Sequence, residues 1–121
     1  MAKLKMDINH LHLAVNDLDA SKSFYRTYFG FEDSVVHGKI QFMVNWEGFH
    51  LALDPAFKSE VLPKWFHFGV RLRSESDVEA LHNKLLSEPK YISRQLEKYP
   101  GHVFFHCIDP DGYKIEVYWE E

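Results

Sequence analysis

Apolar and polar residues alternate with a period of two from Ile8 to Val15. Leu11, Leu13 and Val15 fall on one face of a strand, and His10, His12 and Ala14 on the other. The period then lengthens. Phe24, Tyr25, Tyr28 and Phe29 recur at helical spacing, with Asp17 or Asp19 placed to cap the helix and Gly30 to stop it. Two or three strands are predicted next, over about 33–37, 39–46 and 49–54, the last two joined by the turn Asn45-Trp46-Glu47-Gly48. From Asp54-Pro55 to Pro63 the chain reads as a linker. The second half repeats this order. A strand over 65–72 leads to a helix capped by Ser74 or Ser76, with Val78, Leu81, Leu85 and Leu86 on its apolar face and Glu88-Pro89 at its end. Strands near 90–96, 102–108 and 113–119 follow, the last two joined by Asp109-Pro110-Asp111-Gly112.

The two halves overlay by hand. His10 matches His67 at an offset of 57 (67 − 10), and the turn glycines Gly48 and Gly112 match at 64 (112 − 48). The difference of about seven residues is expected partly at the second helix's entry and partly in a later loop. The overlay sets Glu116 on Ala52 and His106 on Phe42. The pattern is one βαβββ unit written twice, neither copy able to cover its sheet alone. The expected fold is α+β, a single domain over 1–121 made of two tandem βαβββ modules, about 1–57 and about 62–121.

Composition narrows the function. Hydrophobic content of 45% and charged content of 26% in 121 residues suit a globular domain with one core. No apolar run approaches the roughly 20 residues of a membrane helix, so no membrane partner is expected. The first residues carry lysines without an apolar stretch behind them, unlike a secretory signal. One cysteine, Cys107, excludes a disulfide framework and fits a cytoplasmic location. The net charge of −4 is dispersed, without the basic cluster that nucleic acid requires. The departures from ordinary composition are 16% aromatic residues and eight histidines.

Those histidines are where chemistry is expected. His10 and His67 occupy matching places at the start of each half, and Glu116 lies between Ile115 and Val117, which must face the core. Glu116 therefore faces the other side of its sheet, where a cation or histidinium would offset the cost of a lone carboxylate. Two imidazoles and one carboxylate are a minimal ligand set for a divalent metal with open coordination positions. Alternation assigns His10, His12, His50, His67, Arg71, His102, Phe104, His106, Glu116 and Tyr118 to the inner faces. His106 is a candidate general acid or base, or alternatively a partner that orients a ligand. Arg71 is a candidate carboxylate clamp, or a surface partner of a glutamate. His37 and His82 are expected to be exposed.

Asn9-His10-Leu11-His12-Leu13-Ala14-Val15-Asn16-Asp17-Leu18, Ser23-Phe24-Tyr25 and Phe29-Gly30-Phe31 resemble the opening of the vicinal oxygen chelate superfamily. That superfamily contains glyoxalases, bleomycin-resistance proteins, fosfomycin-resistance transferases and extradiol dioxygenases. His67-Phe68-Gly69-Val70-Arg71-Leu72 through Leu81 resembles its second-module opening, and Asp109-Pro110-Asp111-Gly112-Tyr113-Lys114-Ile115-Glu116 its closing motif. The resemblance implies a mixed, cup-shaped sheet with the helices outside, and a homodimer. It puts His10, His67 and Glu116 on the metal-ligand positions, the ion being Fe, Mn, Ni, Zn or Mg. His106 falls where enzymes of the superfamily often hold a tyrosine that touches substrate, which makes it the candidate catalytic residue. His12, His50, Arg71, Phe104 and Tyr118, from the alternation, are the candidate substrate contacts, His12 and His50 alternatively facing solvent at the rim. Ala52 stands where glyoxalase I has a fourth carboxylate ligand and two-domain dioxygenases a catalytic histidine, which counts against both branches. The basic tail of fosfomycin transferases is not present after Glu116, which ranks that branch low.

The implied function is a divalent-metal-dependent enzyme that binds a small oxygenated substrate through adjacent oxygens, for a lyase, isomerase or ring-cleaving reaction. The alternative is a non-catalytic protein that sequesters a small molecule, as bleomycin-resistance proteins do. The partner in either case is a small molecule.

Overall fold

The computed structural model describes residues 2–56 and 62–121, so part of the predicted 54–63 linker lies outside the described residues. The chain divides into two compact units, Met1–Lys58 and Ser59–Glu121.

In the first unit, β1 (His10–Ala14), α1 (Leu18–Phe29), β2 (Glu32–His37), β3 (Ile40–Val44) and β4 (His50–Asp54) form a four-stranded sheet in the order β1-β4-β3-β2. β1 pairs with β4 in parallel and the remaining pairs are antiparallel. Asp17 caps α1, its carboxylate accepting from the Ala20 N–H at 3.1 Å. The helix ends at Gly30, whose φ of 69° is the left-handed conformation that glycine adopts without a Cβ penalty. Phe24, Tyr25 and Tyr28 are buried on α1 as the spacing predicts, and Leu13, Val15, Met43, Leu51 and Leu53 are buried among the strand positions. Each such fully buried large side chain contributes about 1.5–3 kcal/mol.

The second unit follows the same plan: β5 (Phe68–Arg71), α2 (Glu75–Leu85), a 3-10 turn (Pro89–Tyr91), β6 (Ile92–Tyr99), β7 (His102–Ile108) and β8 (Lys114–Glu120). Its sheet order is β5-β8-β7-β6, again with one parallel pair, β5 with β8. Val103, Phe105, Cys107, Ile115 and Val117 are fully buried, as are Val78 and Leu85 of α2.

The registers of the two sheets superpose on the hand overlay. Phe42 pairs with Ala52 as His106 pairs with Glu116, and His12 pairs with Ala52 as Gly69 pairs with Glu116. The turns match in chemistry too. Asn45 Oδ1 accepts from the N–H groups of Glu47 (3.2 Å) and Phe49 (2.8 Å), and Asp109 Oδ1 accepts from those of Asp111 and Tyr113, both at 2.9 Å. Gly48 and Gly112 close these turns at φ of 86° and 85°.

Four expectations need correction. The seven additional residues do not enter at the second helix: its N-cap is Ser74, which keeps the offset of 57 from Asp17 (74 − 17). They come later, in the 3-10 turn and in the longer second and third strands of that unit. The strand predicted over 65–72 is shorter, because a turn at Lys64–Trp65 leaves His67 just ahead of β5. His82 is buried, its Nε2 2.9 Å from Gln95 Oε1 and its ring 5.2 Å from that of Phe105, whereas Leu86 is 46% exposed. β6 breaks alternation with register shifts between Ile92 and Arg94 and between Arg94 and Glu97, opposing Arg94 to His106 and Glu97 to Phe104.

Candidate functional site

The polar face of the second unit's sheet is built around a hydrogen-bonded pair. Antiparallel register sets His106 of β7 opposite Glu116 of β8, and their side chains meet at 3.1 Å between Nε2 and Oε2. The carboxylate oxygen can only accept, so His106 donates through Nε2. His67 lies beside this pair, its ring stacked on that of His106 at 6.1 Å between centroids. His67 Nδ1 is 3.1 Å from the Trp65 carbonyl and donates to it. Its tautomer is thereby fixed, with Nε2 left as a bare lone pair.

Phe104 continues the row. Its ring stacks with those of His102 at 5.0 Å and Tyr99 at 6.4 Å, and the Arg94 guanidinium covers it at 4.9 Å. Only 8% of Phe104 remains exposed, so it is a floor more than a wall. Arg94 also bonds through Nε to Glu97, and the Tyr99 hydroxyl donates to the other Glu97 oxygen at 2.7 Å. The Tyr99 hydrogen bond first, and Arg94 second, hold the Glu97 carboxyl below the usual carboxylate range. The same bond pushes the Tyr99 phenol up. Arg71, expected as a clamp, spends its guanidinium on Glu120, at 3.4 Å from Oε1 and on the main-chain oxygen. Tyr118 packs close to Gly69, where an added Cβ would lie 3.5 Å from the Tyr118 ring.

The first unit carries His10, His12 and His50 on the corresponding face. His10 and His50 are register partners on β1 and β4. His10 Nδ1 donates to the Asn9 carboxamide oxygen at 2.9 Å, so His10, like His67, presents a bare Nε2. His12 Nε2 donates to Asp54 Oδ2 at 3.0 Å. Phe42, the counterpart of His106, has the rings of His37 and His50 at 5.3 and 6.5 Å.

Five of the expected residues therefore gather in the second unit (His67, His106, Glu116, Phe104 and Tyr118), and three in the first (His10, His12 and His50). Arg71 is on the second unit's sheet but engaged with Glu120. Among the described residues no three His, Cys, Asp or Glu side chains stand close enough together to hold an ion. Sequence reading omits Asp54, Arg94, Glu97 and Tyr99. Strict alternation along His50, Ala52 and Asp54 was a sufficient signal for the first. The other three are turned onto this face by the β6 bulges, which alternation does not foresee.

The order and register of both units agree with a family model that matches residues 7–117, described as the Glyoxalase/Bleomycin resistance protein/Dioxygenase superfamily. The chain belongs to that superfamily. A similar superfamily protein is the Metallothiol transferase FosB of Shouchella clausii (strain KSM-K16), 29% identical over 118 residues that make up 92% of this chain and 78% of that protein. A possible glyoxalase from Bacillus cereus is 32% identical with a TM-score of 0.76, covering 93% of this chain and 98% of that one. The fosfomycin resistance protein FosX from Listeria monocytogenes shares the superfamily fold at a TM-score of 0.83 and 16% identity, covering 98% of this chain and 96% of that one. Among the described residues no helix is long and apolar enough to cross a membrane.

Proposed function

We propose that this superfamily member is a metal-dependent enzyme acting on a small oxygenated molecule, with His67 and Glu116 of the second unit and His10 of the first as its candidate metal-ligating side chains. The observation that carries this reading is the state of the three donors. Each histidine has Nδ1 committed to an oxygen, Asn9 Oδ1 for His10 and the Trp65 carbonyl for His67, which leaves Nε2 free to bind. Glu116 spends Oε2 on His106 and takes no hydrogen bond at Oε1 from the described residues. Histidines oriented through the second ring nitrogen, and a carboxylate held by one oxygen, are how metal ligands are typically fixed.

When bound, such an ion would polarise two adjacent substrate oxygens at its open positions and offset negative charge as it develops on them. His106 would orient Glu116 through Nε2 and keep Nδ1 for a substrate proton. Phe104 and Tyr118 would supply apolar surface beside it, and His12 and His50 polar contacts. Arg71 would take part only after leaving Glu120. The name of the Shouchella relative, a metallothiol transferase, makes thiol transfer one of the reactions to be tested alongside lyase, isomerase and ring-cleaving chemistry. The homodimer implied by the superfamily resemblance, and the cytoplasmic setting that a lone cysteine fits, belong to the same proposal.

Elemental analysis of protein purified without an affinity tag is the test. About one divalent ion per chain is expected, lost in His10→Ala, His67→Ala and Glu116→Ala. Full metal content in all three variants would dispose of the reading. Metal-free wild type whose melting point rises with an aromatic ligand, indifferent to EDTA, would instead support a sequestering protein.

A further inference from the structure

The carboxylate that the first unit lacks at Ala52 appears two residues on, at Asp54, on the same face of the same strand. It too meets an imidazole, but on the other side. Glu116 bonds to His106 on its antiparallel neighbour, and Asp54 to His12 on its parallel one. We propose that Asp54 is a positioning residue that holds His12 in the Nε2–H tautomer, so that His12 Nδ1 accepts a hydrogen bond from a hydroxyl, thiol or amine hydrogen of a small ligand. The tautomer stands on its own; the ligand's location on this face rests on the function proposed above.

Three features support the assignment. First, a carboxylate has no hydrogen to give, so the 3.0 Å contact between His12 Nε2 and Asp54 Oδ2 requires the proton to sit on Nε2. Second, exposure within the pair is uneven. The Asp54 side chain is 18% exposed and that of His12 is 52%, so the carboxylate anchors a ring whose other edge is open. Asp54 Oδ1 is buried and has no hydrogen-bond partner among the described residues, where His12 is the side chain bonded to this carboxylate. Third, the neighbouring histidine is set the opposite way. His10 donates from Nδ1 to Asn9 and keeps Nε2 bare, while His12 donates from Nε2 and keeps Nδ1 bare. Two imidazoles one pleat apart are thus prepared for different partners, one for an ion and one for a donor hydrogen.

Long-range proton–nitrogen correlation spectra of protein labelled with nitrogen-15 histidine report each tautomer directly. The His12 signals are assigned by their loss in His12→Gln. Wild type is expected to show His12 as the Nε2–H form. Asp54→Leu, similar in size but unable to accept, is expected to move it to the averaged pattern of an unheld histidine, and Asp54→Asn, which still offers an oxygen, to restore it. Should the leucine variant fail to fold, Asp54→Ala makes the same comparison. Zinc ions alone are expected to shift the Nε2 signals of His10 and His67 and to leave His12 in place. Glycerate, with a hydroxyl beyond its carboxylate–hydroxyl pair, is expected to move His12 Nδ1 to lower frequency, and lactate, without it, is not. An Nδ1–H or averaged His12 in wild type, a His12 shift on zinc of the size seen for a ligand, or no response to glycerate would each overturn the proposal. Unshifted His10 and His67 with an intact His12 tautomer would sink the metal reading instead.

Discussion

Replacing His106 by phenylalanine removes one hydrogen bond and little else. The side chain is 15% exposed, and its ring packs against His67 at 6.1 Å and Phe104 at 5.7 Å, contacts that a phenyl ring of similar outline keeps. The first unit already holds a phenylalanine at this register position, Phe42 opposite Ala52. What is lost is the Nε2–H that holds Glu116 Oε2 at 3.1 Å. A hydrogen bond to a charged group is worth about 1.5–3 kcal/mol, and Glu116, 31% exposed, recovers part of that from water. For a carboxylate that binds an ion, loss of the group that orients it weakens affinity by about 10–100-fold, or about 1.4–2.8 kcal/mol. The expected result of His106→Phe is therefore a drop of that size in zinc or manganese affinity, measured by competition against a chelator of known strength, with the melting temperature little changed. His102→Phe on the same strand is the control and is expected to bind as wild type. An affinity within a factor of two of wild type, in a folded His106→Phe protein, would refute the argument that His106 holds Glu116 in place for a metal.

Two further outcomes follow from titrating groups. Burial pushes the Cys107 thiol up to about 12, so it stays protonated and closed to reagent in the folded chain. Ellman's reagent at pH 8 is expected to react with one thiol per chain only on unfolding, and rapid labelling of native protein would contradict this. The Lys22 hydrogen bond first, and the Arg26 contact at 2.8 Å, hold the Asp33 carboxyl below its ordinary value. A depressed carboxyl adds stability above its unfolded pKa, near 3.8, and loses it as pH falls through the folded value. The pair is half in water, so Asp33→Asn is expected to cost well under about 1 kcal/mol at pH 7 and nothing at pH 2, read as melting temperature against pH.

Much of this protein was written in its periodicities. Period two at 8–15 and 102–108, helical spacing at Phe24, Tyr25 and Tyr28, and a glycine closing each hairpin define the repeated unit, because these are local rules of backbone geometry and burial. The alignment of His106 with Phe42 and of Glu116 with Ala52 was legible as well, but that His106 lies opposite Glu116 is a register only the folded hairpin shows. Tertiary structure decided what no local rule contains. The bulges in β6 set Arg94 and Glu97 opposite His106 and Phe104, a consequence of fitting a longer strand to its neighbour. His82 sits at helical spacing from Val78 and Leu85 and was buried by an acceptor thirteen residues away, Gln95, that its own helix does not announce. Above all, which nitrogen of each histidine is free depends on the oxygen that happens to lie beside it: Asn9 for His10, Asp54 for His12, the Trp65 carbonyl for His67. A sequence names the imidazoles, but a tautomer is a property of contacts, and contacts exist only once the chain has folded.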